Sequence, residues 1–182
     1  MNPPSPPVAA RRIVLVSGAP GSGKTTLAVP LAKCLGLPLF SKDLIKETLA
    51  DALGSGDGDL QASRKLGGAS MELLWMLARC APAAVLEANF RPHSEYERDR
   101  IGALDARIVE VHCDCGLPEA ARRFGERAAR AGHHAAHPLR TLNADDLSEY
   151  DRPIGIGQLI AIDTTHPVDP AALAERILLA WA

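Results

Sequence analysis

Eight consecutive residues have the types and spacing that bind the phosphates of a nucleotide. From Gly18 to Thr25 they read Gly-Ala-Pro-Gly-Ser-Gly-Lys-Thr, which fits the pattern G-x-x-x-x-G-K-T. An apolar run at residues 13–16 precedes them, and leucines recurring about one helical turn apart follow them. A strand, a glycine-rich loop and a helix in this order predict a P-loop.

The chemistry of phosphate binding explains these residue types. Glycines let the backbone fold tightly, so that consecutive N–H groups reach phosphate oxygens at a helix N-terminus. Lys24 can reach the β- and γ-phosphates, and the Thr25 hydroxyl can bind Mg²⁺. The motif therefore predicts ATP and Mg²⁺ as ligands, but kinases, ATPases and GTPases all share it. The residues predicted to bind the nucleotide are Gly18, Pro20, Gly21, Ser22, Gly23, Lys24, Thr25 and Thr26.

Short apolar runs alternate with helical patterns along the rest of the chain. The predicted strands span residues 13–17, 37–41, 84–88, 107–113 and 158–163. The predicted helices span residues 23–35, 42–53, 60–80, 93–104, 117–131 and 169–181. Pro30 predicts a local kink, and Gly67-Gly68 leaves open a break in the third helix. This alternation predicts an α/β, three-layer P-loop NTPase fold with a five-stranded parallel sheet, helices on both faces and a small helical lid.

Length and composition limit the possible architectures and partners. The chain has 182 residues of which 47% are hydrophobic, which favours a single domain at residues 12–182 after a flexible proline-rich tail at residues 1–11. A net charge of −2 and an aromatic content of 4% disfavour nucleic acid as the main partner without excluding it. No apolar run is long enough for a membrane span, and scattered cysteines without a signal peptide indicate a cytoplasmic protein. Its oligomeric state is not readable from the sequence.

The residues that follow each strand matter most, because ligands of such sheets bind beyond the carboxyl ends of the strands. Asp43 follows the second strand, where a carboxylate could orient and deprotonate an acceptor hydroxyl. The alternative is a helix N-cap, and we favour the base because a P-loop is present. Lys46 lies one turn further on, and could hold an anionic acceptor or be a solvated lysine paired with nearby acids.

The end of the third strand supplies another polar group. Glu87 ends a buried strand, so its carboxylate needs a partner. Two interpretations stay open, a role on Mg²⁺ or a structural hydrogen bond to a neighbouring loop. Asn89 and Arg91 leave the same end of the sheet, and we assign them to the acceptor side.

Arginines recur on one face of the fifth predicted helix, at positions 123, 127 and 130. Guanidinium groups beside a triphosphate stabilise the charge on the phosphoryl group in transfer. The Gly/His/Pro loop that follows is typical of a mobile lid, which we place at about residues 122–140.

Histidines and cysteines suggest a zinc site on paper. Its members would be His112, Cys113, Cys115, His133, His134 and His137. Strand alternation explains the C-x-C spacing more simply, and that spacing differs from the usual zinc motif. We therefore do not predict zinc.

With these residues in place, the chain resembles the small P-loop kinases of the nucleoside-monophosphate-kinase-like group. The loop from Gly18 to Thr26, followed by Ser41-Lys42-Asp43 and a basic Lys46, is similar to the polynucleotide 5′-hydroxyl kinases. The segment Asp163-Thr164-Thr165-His166 is similar to the chloramphenicol phosphotransferases. Zeta-toxin-like sugar-nucleotide kinases belong to the same group.

The resemblance implies roles for several residues. Asp43 would be the general base, and Lys46 would contact an acceptor phosphate. Arg127 and Arg130 would clamp phosphates from the lid, and Arg123 would lie near the adenine. The chain departs from many relatives in carrying Glu87 where they have an aspartate.

We therefore expect an ATP- and Mg²⁺-dependent kinase that phosphorylates a hydroxyl of a small molecule. The predicted catalytic residues are Lys24, Asp43, Arg127 and Arg130, and Thr25 is the predicted Mg²⁺ ligand with Glu87 as a second candidate. The alternatives are a polynucleotide or nucleotide 5′-kinase and a non-enzymatic ATP-dependent binding switch. The absence of an N-K-x-D segment disfavours a guanine-nucleotide switch.

Overall fold

The computed structural model describes residues 10–54, 59–131, 133–150 and 152–182. Within these residues, five strands pair side by side in parallel, in the order β2-β3-β1-β4-β5. This confirms the predicted α/β architecture. In chain order the elements are β1 Arg11–Ser17, α1 Lys24–Leu35, β2 Leu39–Ser41, α2 Lys42–Leu53, α3 Leu60–Cys80, β3 Ala83–Glu87, α4 Glu95–Gly102, β4 Ala106–Asp114, α5 Leu117–Ala128, α6 Ala144–Ser148, β5 Gln158–Asp163 and α7 Pro170–Trp181.

The central strand β1 shows why helices cover both faces of the sheet. Val14 and Val16 point into a core shared with α1 and α7, whereas Ile13 and Leu15 point into a core shared with α3 and α4. All four side chains are fully buried. Burying each apolar side chain contributes roughly 1.5–3 kcal/mol, so a continuous apolar strand is stable only between two helical layers.

Two helices run through residues that favour a break. α1 is a single helix from Lys24 to Leu35 although it contains Pro30. α3 is continuous through Gly67 and Gly68, so the break left open at this pair is absent. Each helical glycine costs about 1 kcal/mol relative to alanine, which the burial of side chains such as Leu74 and Trp75 on the same helix offsets.

Most boundaries shift by one or two residues from the sequence predictions, and α4, predicted at residues 93–104, is shortened to Glu95–Gly102. β1 begins at Arg11, so this residue belongs to the sheet rather than to the tail, whose residues 1–9 lie outside the described residues. α5 ends at Ala128 instead of residue 131, and Arg130 lies beyond it. The short α6 was missed. Its start is fixed by a capping box in which Asn143 and Asp146 exchange hydrogen bonds.

The strand order brings the ends of β1, β2 and β3 to one edge. The P-loop follows β1, Glu87 ends β3, and Ser41 ends β2 directly opposite Glu87. In the described part of the chain, the helices are too short or too polar to span a bilayer.

Candidate active site

The loop between β1 and α1 depends on glycine at two close approaches. Gly18 and Gly21 have φ angles of +131° and +89°. A Cβ atom at Gly18 would lie 2.2 Å from the carbonyl oxygen of Cys113, and one at Gly21 would lie 2.1 Å from that of Ala120. Both contacts are with backbone, which cannot move away cheaply. The loop is therefore a cradle formed by backbone, and any side chain at Gly18 or Gly21 would overlap its walls.

Thr164, which follows β5, and Arg123 of α5 hold this cradle in place through hydrogen bonds. The Thr164 hydroxyl donates to the carbonyl of Ser22 at 2.7 Å, and the Thr164 amide donates to the carbonyl of Asp114 at 2.8 Å. Arg123 donates to the carbonyl of Thr164 at 3.0 Å. The Ser22 hydroxyl itself is buried and has no hydrogen-bond partner among the described residues. Pro20 is buried in the same loop, while Thr25 and Thr26 start α1 with exposed side chains.

Lys24 curls back over the loop. Its Nζ donates to the carbonyl of Ala19 at 2.8 Å, and 5% of the residue is exposed. Burial lowers the pKa of Lys24, while the nearby carboxylates of Glu87 and Asp43 raise it and Arg127 lowers it.

Glu87 lies between the P-loop and β2. The Thr25 hydroxyl donates to Glu87 Oε1 at 3.1 Å, and the Ser41 hydroxyl donates to Oε2 at 2.5 Å. Glu87 is 2% exposed. Among the described residues no cationic side chain forms an ion pair with it, although buried charges are normally paired or bind metals.

A buried carboxylate bonded to the P-loop threonine fits Mg²⁺, which prefers oxygen ligands. Thr25 and Glu87 are the residues that would hold it. The geometry leaves room for both interpretations of Glu87. Its carboxylate accepts a structural hydrogen bond from Ser41, and it also lies beside Thr25, the predicted Mg²⁺ ligand.

Asp43 lies in the first turn of α2, but it is not the N-cap. That position belongs to Ser41, whose hydroxyl accepts from the amide of Leu44. The Asp43 carboxylate instead accepts from Lys42 Nζ at 2.9 Å. Burial raises the pKa of Asp43, but the positive charges of Lys42, His137 and Lys24 outweigh it and lower the pKa to about 2. The capping interpretation of Asp43 is therefore wrong, and the carboxylate is ionised at any ordinary pH.

Lys46 is buried rather than solvated. It is 6% exposed, and its Nζ donates to the Ser63 hydroxyl at 2.7 Å. Ser63 in turn donates to the carbonyl of Ala136 at 2.8 Å. Burial and the charge of Lys42 lower the pKa of Lys46 to about 8, although Asp43 and Glu47 oppose the shift. No ion pair neutralises this ammonium group within the described residues.

The loop at residues 133–138 packs against α2 and α3. His137 Nε2 lies 3.0 Å from a carboxylate oxygen of Glu47, and His134 Nε2 lies 3.1 Å from one of Asp51. Together with the bond from Ser63 to Ala136, these contacts hold the loop over Lys46. Burial lowers the pKa of His137, which Asp43 partly offsets.

These histidines do not meet the cysteines of the hypothetical zinc site. His133, His134 and His137 belong to the loop, whereas His112, Cys113 and Cys115 lie at the end of β4. In the part of the chain that the structure describes, no three His, Cys, Asp or Glu side chains group together as metal ligands.

The three lid arginines have different surroundings. Arg123 is held by Glu119 and by the carbonyl of Thr164, next to the P-loop. Arg127 is exposed and stacks on the ring of Phe124, with 5.5 Å between the guanidinium carbon and the ring centroid. Arg130 is exposed, and its guanidinium has no hydrogen bond or ion pair to any described residue. Among the three, Arg123 thus contacts the residue that bonds to the P-loop, whereas Arg127 and Arg130 have no hydrogen bond to a described residue of that loop.

Asn89 and Arg91 follow β3 on the side of α4. Asn89 is half-buried, and Arg91 donates to the buried carboxylate of Glu97 at 2.9 Å. Beside them a cavity of about 260 Å³ is lined by Arg91, His93, Ser94 and Glu149. Arg91 is therefore fixed in direction and borders open space.

Tyr150 and the buried Glu110 were missed by the sequence analysis. Tyr150 packs against a small core cluster that includes Ala19 of the P-loop, and burial raises the pKa of Tyr150 to about 12. Glu110 in β4 accepts from the amides of Ile154 and Gly155, each at 2.9 Å, and so fixes the chain that returns from Tyr150. A glutamate among the apolar residues of a central strand was a visible signal for Glu110, whereas nothing local marked Tyr150.

Ser41, Ser63 and Thr164 were also not assigned roles. Their hydroxyls connect elements far apart in the sequence, and serine and threonine are too common to stand out. Thr164 was noticed as part of a resemblance, but its bond to the P-loop carbonyl of Ser22 required the fold.

Comparisons with known proteins agree with this geometry. A family model described as an AAA domain (AAA_33) matches residues 13–147. A crystal structure from Chloroflexus aurantiacus, whose description as a kinase is provisional, is 27% identical, covers 94% of this chain and 98% of that chain, and has a TM-score of 0.77. The APS kinase of Mycobacterium tuberculosis, solved with AMPPNP and APS, is 21% identical over 94% of this chain and 98% of that chain, with a TM-score of 0.55.

A sequence match to a curated protein is more local. A cytidylate kinase of Pyrobaculum aerophilum is 50% identical over 42 residues, which is 23% of this chain and 23% of that protein. The match thus spans less than a quarter of that relative. Together the comparisons show a kinase-like P-loop fold.

Proposed function

This chain belongs to the AAA domain family, and from that premise we propose that it is an ATP-dependent kinase that phosphorylates a hydroxyl group of a small acceptor. The observation that carries the proposal is the arrangement around Glu87. One carboxylate accepts from the P-loop Thr25 and from Ser41, and two residues after Ser41 is the ionised Asp43. A nucleotide-binding group and a candidate base thus share one edge of the sheet.

In the proposed reaction the acceptor oxygen attacks the γ-phosphorus. The bond from that phosphorus to the β,γ-bridging oxygen breaks, and ADP leaves with the electron pair. Lys24 moves from the Ala19 carbonyl to the phosphates and stabilises the negative charge. Mg²⁺, held by Thr25 and Glu87, would supply further charge neutralisation. The acceptor proton passes to Asp43 and then to solvent.

The low pKa of Asp43 limits when it can accept this proton. A carboxylate with a pKa of about 2 is a weak base towards an intact hydroxyl. Phosphoryl transfer has a loose transition state, so the proton can leave late, after the oxygen has begun to bond to phosphorus. Until then Asp43 orients the hydroxyl. Because Asp43 gains a proton only near pH 2, we expect no loss of activity from it above about pH 4.

The lid would supply further positive charge. Arg127 already influences the pKa of Lys24, which supports a place near the γ-phosphate. Arg130 would need movement of the segment after α5 to reach the phosphates. Arg123, beside Thr164, is suited to contact the adenine end of the nucleotide.

We propose further that Lys46, Asn89 and Arg91 bind the acceptor. The unneutralised, buried ammonium of Lys46 supports an anionic group on that acceptor. A phosphate-bearing acceptor, such as a nucleotide or the 5′ end of a polynucleotide, therefore stays the second candidate. We also propose, from the sequence resemblances, that the nearest functional relatives are the polynucleotide kinases, chloramphenicol phosphotransferases and zeta-toxin-like kinases.

A transfer screen tests the proposal. The protein is incubated with γ-labelled ATP, Mg²⁺ and panels of antibiotics, sugars, nucleosides, nucleoside monophosphates and 5′-hydroxyl oligonucleotides. We expect label on one class of acceptor, and none with Lys24→Ala, while Lys65→Ala on the exposed side of α3 keeps activity. Slow hydrolysis of ATP that no acceptor changes would instead support a nucleotide-dependent binding switch.

A further inference from the structure

We infer that Ser41 is a positioning residue that holds the Glu87 carboxylate in the orientation that a magnesium–nucleotide complex needs. The inference rests on the proposed function, because it assigns Glu87 to the metal side of the P-loop. Ser41 itself does not touch ATP or the metal in this account. It acts through Glu87, and it connects that carboxylate to the helix that carries Asp43.

The register of the sheet places the two residues side by side. Ser41 is the last residue of β2, and it is paired directly with Glu87, the last residue of β3. Ser41 is 5% exposed and Glu87 is 2% exposed. Water therefore has little access to replace the hydrogen bond between them, and a carboxylate oxygen deprived of its donor would stay buried and unsatisfied.

The two carboxylate oxygens have separate partners. Ser41 donates to Oε2 at 2.5 Å, whereas Thr25 donates to Oε1 at 3.1 Å. The shorter bond fixes Oε2, and the longer one leaves Oε1 beside the P-loop threonine. A carboxylate has about four lone-pair sites, so Glu87 keeps acceptor capacity for a metal or its waters. Loss of Ser41 would free the carboxylate to rotate away from Thr25.

Ser41 also serves as the N-cap of α2, but that contact is the weaker one. Its hydroxyl accepts from the amide of Leu44 at 3.5 Å, a full ångström longer than its bond to Glu87. The hydroxyl hydrogen can point to one acceptor, and that acceptor is Glu87. Because the first turn of α2 contains Asp43, one hydroxyl fixes the metal carboxylate and the start of the base-bearing helix relative to each other.

Groups that orient metal ligands typically change metal affinity about 10- to 100-fold when they are removed. The experiment therefore measures Mg²⁺ binding to the complex of the protein with the non-hydrolysable analogue AMPPNP, by calorimetric titration, for wild type and variants. We expect Ser41→Ala to weaken Mg²⁺ binding at least about tenfold. Affinity for AMPPNP without Mg²⁺ should stay within about twofold, since the P-loop contacts are intact. Ser41→Thr, which keeps the hydroxyl, should restore Mg²⁺ binding.

Two further variants separate positioning from helix capping. Glycine is nearly as good as serine at an N-cap, but it has no hydroxyl. Ser41→Gly therefore keeps the cap while it removes the donor to Glu87, so it should melt no lower than Ser41→Ala and should lose Mg²⁺ affinity to the same extent. It also keeps the test decisive if Ser41→Ala folds poorly. Thr48→Ala, which removes an exposed hydroxyl from the same helix, should change neither quantity.

A double-mutant comparison completes the test. In a Glu87→Gln background the carboxylate is gone, so adding Ser41→Ala should cause no further loss of Mg²⁺ affinity. The inference is overturned if Ser41→Gly binds Mg²⁺ like wild type, or if Ser41→Ala costs as much in the Gln background as alone. Failure of wild-type protein to bind AMPPNP with Mg²⁺ would overturn the proposed function itself.

Discussion

The two sides of the candidate site are held in place by different forces. The nucleotide side, residues 18–26 with Glu87, is fixed by backbone conformation and by hydrogen bonds among buried groups. The acceptor side, Asp43 and Lys46 with the loop at 133–138, is fixed by side-chain contacts between separate elements. The first should tolerate almost no substitution at its closest approaches, while the second should change gradually and with pH.

The largest expected effect on nucleotide binding is at the closest backbone contact. In Gly21→Ala the new Cβ would lie 2.1 Å from the Ala120 carbonyl, at a φ of +89°. A left-handed conformation alone costs a non-glycine residue about 1–2 kcal/mol, before the overlap is relieved. We expect AMPPNP affinity to fall at least about tenfold.

The matched control is Gly68→Ala, in the exposed middle of α3, where a Cβ meets nothing within 4 Å. It should raise the free energy of unfolding by about 0.5–1 kcal/mol and leave AMPPNP binding unchanged. Equal nucleotide affinity in both variants would mean that the P-loop is not confined by Ala120.

On the acceptor side we expect a substitution that stabilises the folded protein. Lys46 has its pKa lowered from 10.5 to about 8, so below pH 8 the folded protein carries a charge that burial disfavours. Lys46→Met should raise the free energy of unfolding at pH 7 by about 1–3 kcal/mol. Between pH 8 and pH 10.5 the unfolded chain binds more protons than the native one, so wild-type stability rises with pH and the advantage of the variant shrinks.

Denaturant unfolding at pH 7 and pH 10 measures this difference. Lys65→Met, at an exposed position of α3, is the control and should show little change at either pH. A Lys46→Met variant that is less stable than wild type at pH 7 would show that the ammonium group is well compensated in the folded protein. The same variant should bind an anionic acceptor more weakly.

The smallest expected effect concerns the loop at 133–138. Ser63→Ala removes the donor to the Ala136 carbonyl and the acceptor for Lys46 Nζ. We expect amide hydrogen exchange at residues 133–138 to speed up about five- to tenfold, as for a loss of roughly 1 kcal/mol of local stability. Ser70→Ala, a buried serine of the same helix bonded within the helix to Leu66, should leave that exchange unchanged.

The contrast between the nucleotide side and the acceptor side also explains which parts of the site could be predicted from the sequence. The P-loop was predictable because glycine, lysine and threonine are required at fixed spacings, and the strand pattern followed from continuous apolar runs such as residues 13–16. Asp43 was found through its place after a strand, but its partner Lys42 and its pKa depend on packing. The cap at Ser41 was missed because Ser41 and Asp43 both suit an N-cap, and the sequence does not distinguish them.

The acceptor side could not be predicted to the same depth. The link from Lys46 through Ser63 to Ala136 joins three elements that lie up to 90 positions apart. Arg130 was placed on a helix because the periodicity continued, but the helix ends at Ala128. Periodicity indicates which face a residue would occupy and not where hydrogen bonding stops.

The central claim is that a self-sufficient nucleotide cradle faces a separate catalytic carboxylate, and Asp43→Asn tests it most directly. The measurement pairs the affinity for AMPPNP with Mg²⁺ and the turnover on the acceptor that the screen identifies, with Asp99→Asn at an exposed position of α4 as control. We expect Asp43→Asn to keep an affinity within about threefold of wild type and to lower turnover by about 10²- to 10⁴-fold. Full turnover in Asp43→Asn, or a loss of nucleotide affinity as large as the loss of turnover, would contradict it.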